Sequence, residues 1–220
     1  MFAWLWPFGR KDTPAACPVP EPVVVREAVH TEPAPAPLPP VPPVVPATGD
    51  VYYVYRPLFD LFGKSEGTDK KRGYNETLGY GAYTGGDVDL VNMTLAEIDA
   101  LQTKMLKHPA NKMNSSALGR YQIVRTTLRK IKKAMELVDS LKFDAKTQDF
   151  CCLYLLNGRG LANYMVGTLS EDAFMTNLAK EWASIPTPKG TGYYSNQSKT
   201  PVTPAQVREV LKEVKKRATA

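Results

Sequence analysis

An α+β fold that is mostly helical, with a small β-hairpin region and a proline-rich tail in front of it, is predicted by three features of this 220-residue chain. Thirteen of the 19 prolines precede Thr48, so the first part of the chain is set apart from the rest. Several later stretches carry apolar residues at helical spacing, each opened by a capping residue or a proline. Between the first two of these, a glycine-rich stretch from Tyr74 to Tyr83 carries turn signals. With 43% hydrophobic residues the chain has enough apolar material for one core. Residues 1–47 are expected to be a disordered tip and linker, and residues 48–220 one folded domain that includes the C-terminal helix.

In the tail, proline removes amide donors and fixes φ, so a run such as Pro33 to Pro43 predicts an extended polyproline-like spacer without a core. The opening Met1 to Phe8 is too short to cross a bilayer, which takes about 20 apolar residues. Its charges Arg10 and Lys11 follow the apolar stretch, the reverse of a secretory signal. Trp4 and Trp6 suit a membrane interface or a groove on a particle, which makes them an expected tether.

The first helix is predicted from Pro57, with Leu58, Leu61 and Phe62 inward, Glu66 at or just past its end and Gly67 as the stop. Gly79, Gly81, Gly85 and Gly86 then mark an irregular hairpin. Thr94 to Glu97 is a capping box opening a helix with Leu95, Ile98, Leu101, Met105 and Leu106 on one face, ended by His108-Pro109. A basic helix is predicted from Gly119 or Arg120 through Met135, burying Ile123, Leu128 and Ile131. Asp144 caps the next, which runs through Phe150, Cys151, Leu153 and Leu156 to Gly158 and is apolar nearly all round, as a central buried helix would be. Ser170 caps a helix carrying Phe174, Leu178 and Trp182, with Pro186 beyond it. Thr203 to Gln206 is a second capping box, and Val207, Val210, Leu211 and Val214 predict that the last helix docks back on the domain.

The net charge of +6 favours a polyanionic partner. Nucleic acid is the weakest such choice, because the cations are spread over Arg120 to Lys133 and Lys212 to Arg217 without a recognised binding signature. Three cysteines make no disulfide framework, and the adjacent Cys151 and Cys152 are read as core thiols. With only His30 and His108, neither a zinc cluster nor a Ser-His-Asp arrangement has enough material, and no phosphate loop is present. No metal or cofactor is expected. What remains is acid catalysis by a carboxyl, and Glu66, at the end of a partly buried helix and facing a polar turn, is the residue in position to stay protonated and donate to a glycosidic oxygen.

Four motifs in order resemble one family: Ser65-Glu66-Gly67-Thr68-Asp69, Gly73-Tyr74-Asn75, Ser116-Ala117-Leu118-Gly119-Arg120-Tyr121-Gln122, and Trp182-Ala183-Ser184-Ile185-Pro186. They are similar to the phage lambda endolysin family, glycoside hydrolase family 104, over roughly Tyr52 to the C-terminus. The resemblance implies a lysozyme-like fold and cleavage of the β-1,4 bond between N-acetylmuramic acid and N-acetylglucosamine in peptidoglycan. It aligns Glu66 with the catalytic acid and Gly119, Arg120, Tyr121 and Gln122 with a cleft turn. A departure is Thr77-Leu78-Gly79-Tyr80-Gly81, closer to the hairpin of family 24 phage lysozymes, where an aspartate orienting water would stand at the position of Lys71.

The resemblance implies Glu66 as catalytic residue and Tyr121, Gln122 and Arg120 as substrate-binding residues, and the likeness to family 24 adds Thr77; as residues, Tyr121 reads as a packed cleft wall and Trp182 as core. Lytic transglycosylation needs only one carboxyl. Hydrolysis needs a second group such as Glu76, Asp87, Asp89 or Thr77, and a non-catalytic wall-binding or virion protein needs neither. The expected partner is the glycan strand of peptidoglycan, met by a monomer made in the cytoplasm and acting on the wall in the periplasm or from a virion.

Overall fold

The computed structural model describes residues 49–194 and 199–219. The proline-rich linker and the Trp4 and Trp6 tether lie outside the described residues. Seven α-helices occur among the described residues: α1 (Arg56–Ser65), α2 (Leu95–Leu106), α3 (Arg125–Ala134), α4 (Ala145–Gly158), α5 (Leu161–Met165), α6 (Glu171–Glu181) and α7 (Pro204–Ala218).

Helix starts follow the capping chemistry. In both boxes the threonine hydroxyl accepts from the backbone N–H three residues on, and the partner side chain accepts from the threonine N–H: Glu97 Oε2 from Thr94 N at 2.6 Å, Gln206 Oε1 from Thr203 N at 2.9 Å. Asp144 accepts from Thr147 N at 2.8 Å and Ser170 from Ala173 N at 3.3 Å. Each such cap stabilises its helix by about 1 kcal/mol.

Leu58, Phe59 and Phe62 of α1 are fully buried, and α1 packs against α7, which contributes Val207, Leu211 and Val214 to the same core. The last turn of α7 is fixed by Arg217, which donates to Tyr53 O at 3.0 Å with its guanidinium 4.6 Å from the Tyr53 ring. Trp182 is buried and stacks on Phe62 with centroids 3.9 Å apart, locking the end of α6 to α1. Cys151 and Cys152 are free and buried, and burial pushes the Cys151 thiol up to about 12 and Cys152 well above its ordinary value. Both are inert core residues.

Three expectations are corrected. The stretch around Tyr74 to Tyr83 does not form a hairpin, and no strand occurs among the described residues. Positive φ at Gly79, Tyr80 and Gly81 curls the chain into successive turns, and its edge pairs elsewhere. Leu78 N donates to Ala117 O (3.1 Å) and Gly119 N to Glu76 O (2.8 Å), giving an isolated antiparallel bridge between Thr77 and Leu118. The basic helix begins at Arg125, not at Gly119 or Arg120. Residues 119–122 form a loop closed by reciprocal bonds between Leu118 and Ile123, with φ of +77° at Gly119 and +50° at Gln122, values no helix tolerates. Finally, α4 is not apolar all round: Gln148 and Asp149 are buried on it and face a polar network. The short α5 follows Gly160, whose φ of +91° turns the chain after α4.

Candidate active site

Glu66 is the C-cap of α1. Its N–H bonds to Phe62 O at 2.8 Å, and Gly67 at φ +76° turns the chain away, so the side chain leaves the helix end instead of continuing along it. It opens into a cleft of about 290 Å³ whose walls come from the end of α6 (Glu181, Trp182, Ala183), the loop before α3 (Tyr121 to Val124), α4 (Leu155) and the segment Ser115 to Ala117. Two other hollows lack a comparable acid. One, between α2 and α3, is walled by the ion pairs Arg129–Asp99 and Lys132–Asp139. The other is a wider, mostly apolar groove between α1 and α7.

Burial pushes the Glu66 carboxyl above the ordinary glutamate range, outweighing a hydrogen bond from Ser184 that pulls the other way. No cation pairs with it among the described residues. Its Oε1 lies 2.6 Å from Ser184 Oγ, which is itself 2.8 Å from Ser65 Oγ, and Ser65 can donate to Phe62 O at 3.1 Å. The chain of hydroxyls accommodates both protonation states. Ser184 donates to a charged Glu66, or accepts from a neutral one while donating to Ser65, which then donates to the carbonyl. A carboxyl in a cleft, raised by burial and held by a reversible partner, is equipped to act as an acid and then as a base.

A family model described as Endolysin matches residues 56–207, from the first residue of α1 to the first turn of α7. The chain belongs to the endolysin family. It is therefore a phage cell-wall lytic enzyme. No curated protein and no solved structure matches it.

Three of the four sequence motifs of this endolysin reach the Glu66 cleft, and the Gly73-Tyr74-Asn75 motif does not line it. Thr68 Oγ1 donates to Arg120 O at 2.8 Å, tying the Ser-Glu-Gly-Thr turn to the Gly-Arg-Tyr-Gln loop. The Arg120 guanidinium grips Asp69 with two bonds of 2.7 Å and reaches Asp60 at 2.8 Å. It pairs with these aspartates, not with Glu66. Tyr121 is buried, donates to Asp149 Oδ1 at 2.5 Å, and is among the residues lining the cleft. Gln122 lines the cleft and folds back to donate to Gly119 O at 3.0 Å. Arg120 and Thr77 are not among the residues that line the cleft; Thr77 Oγ1 accepts from Gly81 N at 2.9 Å.

The loop is braced from below by residues that sequence reasoning did not single out. Gln148 accepts from Arg120 N (2.9 Å) and donates to Tyr74 O and Phe143 O. It sits so close that a Cβ on Gly119 would overlap its carboxamide, so Gly119 is needed for space as well as for its φ. Gln102 donates to Ser116 O and Ile123 O, both at 2.9 Å. Asp149 gathers Tyr74, Tyr121 and Arg56, the last at 2.8 Å. Buried polar side chains at Gln102, Gln148 and Asp149, within otherwise apolar helix faces, were the available signal. The groups considered for orienting water have other partners: Glu76 accepts from Thr77 N (3.0 Å), Asp87 pairs with Arg72 (3.3 Å) and Asp89 accepts from Asn92 (2.7 Å). Lys71 lies 4.1 Å from the centre of the Tyr80 ring.

Proposed function

We propose that this endolysin is a muramidase that cleaves the β-1,4 bond between N-acetylmuramic acid and N-acetylglucosamine by lytic transglycosylation, with Glu66 as general acid and then base. The observation that carries this reading is the Glu66 carboxyl itself, pushed toward its neutral form inside a cleft and partnered among the described residues by a hydroxyl alone. Neutral Glu66 gives its proton to the glycosidic oxygen as the bond to the muramyl C1 breaks and its electron pair leaves with that oxygen. The carboxylate then takes the proton of the muramyl 6-hydroxyl, whose oxygen bonds to C1 and closes a 1,6-anhydro ring. Atoms and charge balance without water. Glu76, Asp87, Asp89 and Thr77 are engaged with other groups, and the other carboxylate lining the cleft, Glu181, is held by Arg159, which favours this route over hydrolysis. Tyr121 and Gln122 supply cleft wall to the sugar, while Arg120 and Thr77 act on the substrate indirectly, by holding the loops that carry them.

The partner in this reading is the glycan strand, met in the periplasm, with the tail bearing Trp4 and Trp6 as the tether. Among the described residues no helix is long and apolar enough to cross a membrane. Clearing of peptidoglycan on a zymogram by the purified protein tests the reading, and no clearing would leave a non-catalytic wall-binding role.

Ser184→Ala removes the hydroxyl that holds the carboxylate form of Glu66. The general acid works while protonated, so its pKa sets the alkaline limb of kcat/KM. Losing a bond to the charged form raises that pKa, and the alkaline limb moves to higher pH. A pH–rate profile on soluble glycan strands reads the shift, and an unmoved limb would separate Ser184 from the acid.

A further inference from the structure

The same cleft holds a second carboxylate. Glu181 closes α6 one residue before Trp182 and lines the cleft together with Glu66. Arg159, at the C-terminal end of α4, donates from Nε to Glu181 Oε2 at 2.7 Å, and its own carbonyl accepts from Asn177 Nδ2 at 3.1 Å, so both ends of the pair are fixed to the frame. The Glu181 side chain keeps only 16% of its surface exposed, and its other oxygen, Oε1, has no hydrogen-bond partner among the described residues. The ion pair leaves one acceptor oxygen of a cleft-lining carboxylate free, and the donors of a saccharide are its hydroxyls and acetamido N–H groups.

We propose that Glu181 is a glycan-binding residue, whose Oε1 accepts a hydrogen bond from a hydroxyl or acetamido N–H of the strand while Arg159 sets its orientation. This rests on the muramidase reading and adds a second polar anchor on the wall of the same cleft as the acid. The carboxylate binds and positions the sugar, with no proton transfer assigned to it. Glu181→Gln keeps the shape, and the Arg159 guanidinium takes the amide oxygen, so the amide NH₂ faces the cleft. An acetamido N–H then meets a donor, a hydroxyl keeps only a neutral bond in place of a charge-assisted one, and binding falls although the packing is preserved.

The test measures binding of a soluble peptidoglycan tetrasaccharide by calorimetry to Glu66→Gln, which cannot turn it over, and to Glu66→Gln/Glu181→Gln and Glu66→Gln/Glu181→Ala. Loss of one charge-assisted bond should weaken binding roughly 10-fold or more in both double variants. In the enzyme with Glu66 intact, Glu181→Gln should raise KM more than it lowers kcat, a split that mere loosening of α6 would not produce. Unchanged affinity in both double variants overturns the assignment of Glu181 and leaves the muramidase reading standing. Absence of any binding to Glu66→Gln itself overturns both.

Discussion

Glu66→Gln abolishes wall cleavage, with a loss of at least ~100-fold, the lower end of what a general acid contributes. Glutamine has the shape of glutamic acid and can still meet Ser184, but it has no proton to give to a glycosidic oxygen. The fold should survive and even gain. Burial raises the carboxyl pKa in the folded state above its unfolded value, so the stability that wild-type Glu66 contributes is fully present below the ordinary glutamate range. It is lost as pH rises through the raised folded-state value, where a charge must be held inside the protein. Glutamine has no such loss. Thermal unfolding of the two proteins should therefore coincide in acid and separate toward neutral pH, with the variant more stable. Near wild-type lysis by the variant would remove Glu66 from the chemistry, and a variant less stable at neutral pH than in acid relative to wild type would contradict the burial argument.

Asp149→Ala has the largest expected effect on stability. Asp149 is buried and is the common acceptor for Arg56, Tyr74 and Tyr121. Its removal leaves a guanidinium without one of its two carboxylate partners and two phenol hydroxyls without their acceptor. Breaking a buried ion pair from one side costs on the order of 3–5 kcal/mol, and the partial exposure of Arg56 argues for the lower end. That is a large share of the ~5–15 kcal/mol that holds a domain folded. Because Tyr121 carries the cleft wall, activity should fall below the melting transition as well. Urea unfolding measures the loss, and Asp149→Asn, which keeps an acceptor, should recover part of it. A change under ~1 kcal/mol would mean that the network is ornamental.

Local chemistry was legible in the sequence wherever one turn of chain decides the outcome. The boxes at Thr94 and Thr203 and the caps at Asp144 and Ser170 opened helices as their hydrogen-bonding side chains require, and Gly67 ended α1 one residue after Glu66. Arg120, Tyr121 and Ile123 fit a helical pattern locally, so the sequence predicts a basic helix that starts earlier than the observed Arg125. The opposing requirement comes from Gln148, which lies 29 residues from Gly119 in the chain and fills the space its Cβ would need. The glycine-rich stretch after Tyr74 suggested a hairpin, yet its pairing partner is Leu118, and long-range pairing leaves no trace in a local pattern. At the site, the motifs identified Glu66 and its loop. They did not single out Ser184 as its hydrogen-bond partner or Glu181 as a cleft residue, since both act through contacts across the fold.

The most direct test of Glu66 acting alone as acid and base is the mass of its product. Purified peptidoglycan digested by the enzyme should yield fragments ending in 1,6-anhydro-N-acetylmuramic acid, lighter by the mass of one water than the hydrolysed fragments, and none should form with Glu66→Gln. Fragments carrying only reducing N-acetylmuramic acid ends would contradict the account, because a water molecule would then have been positioned and activated by a group other than those assigned.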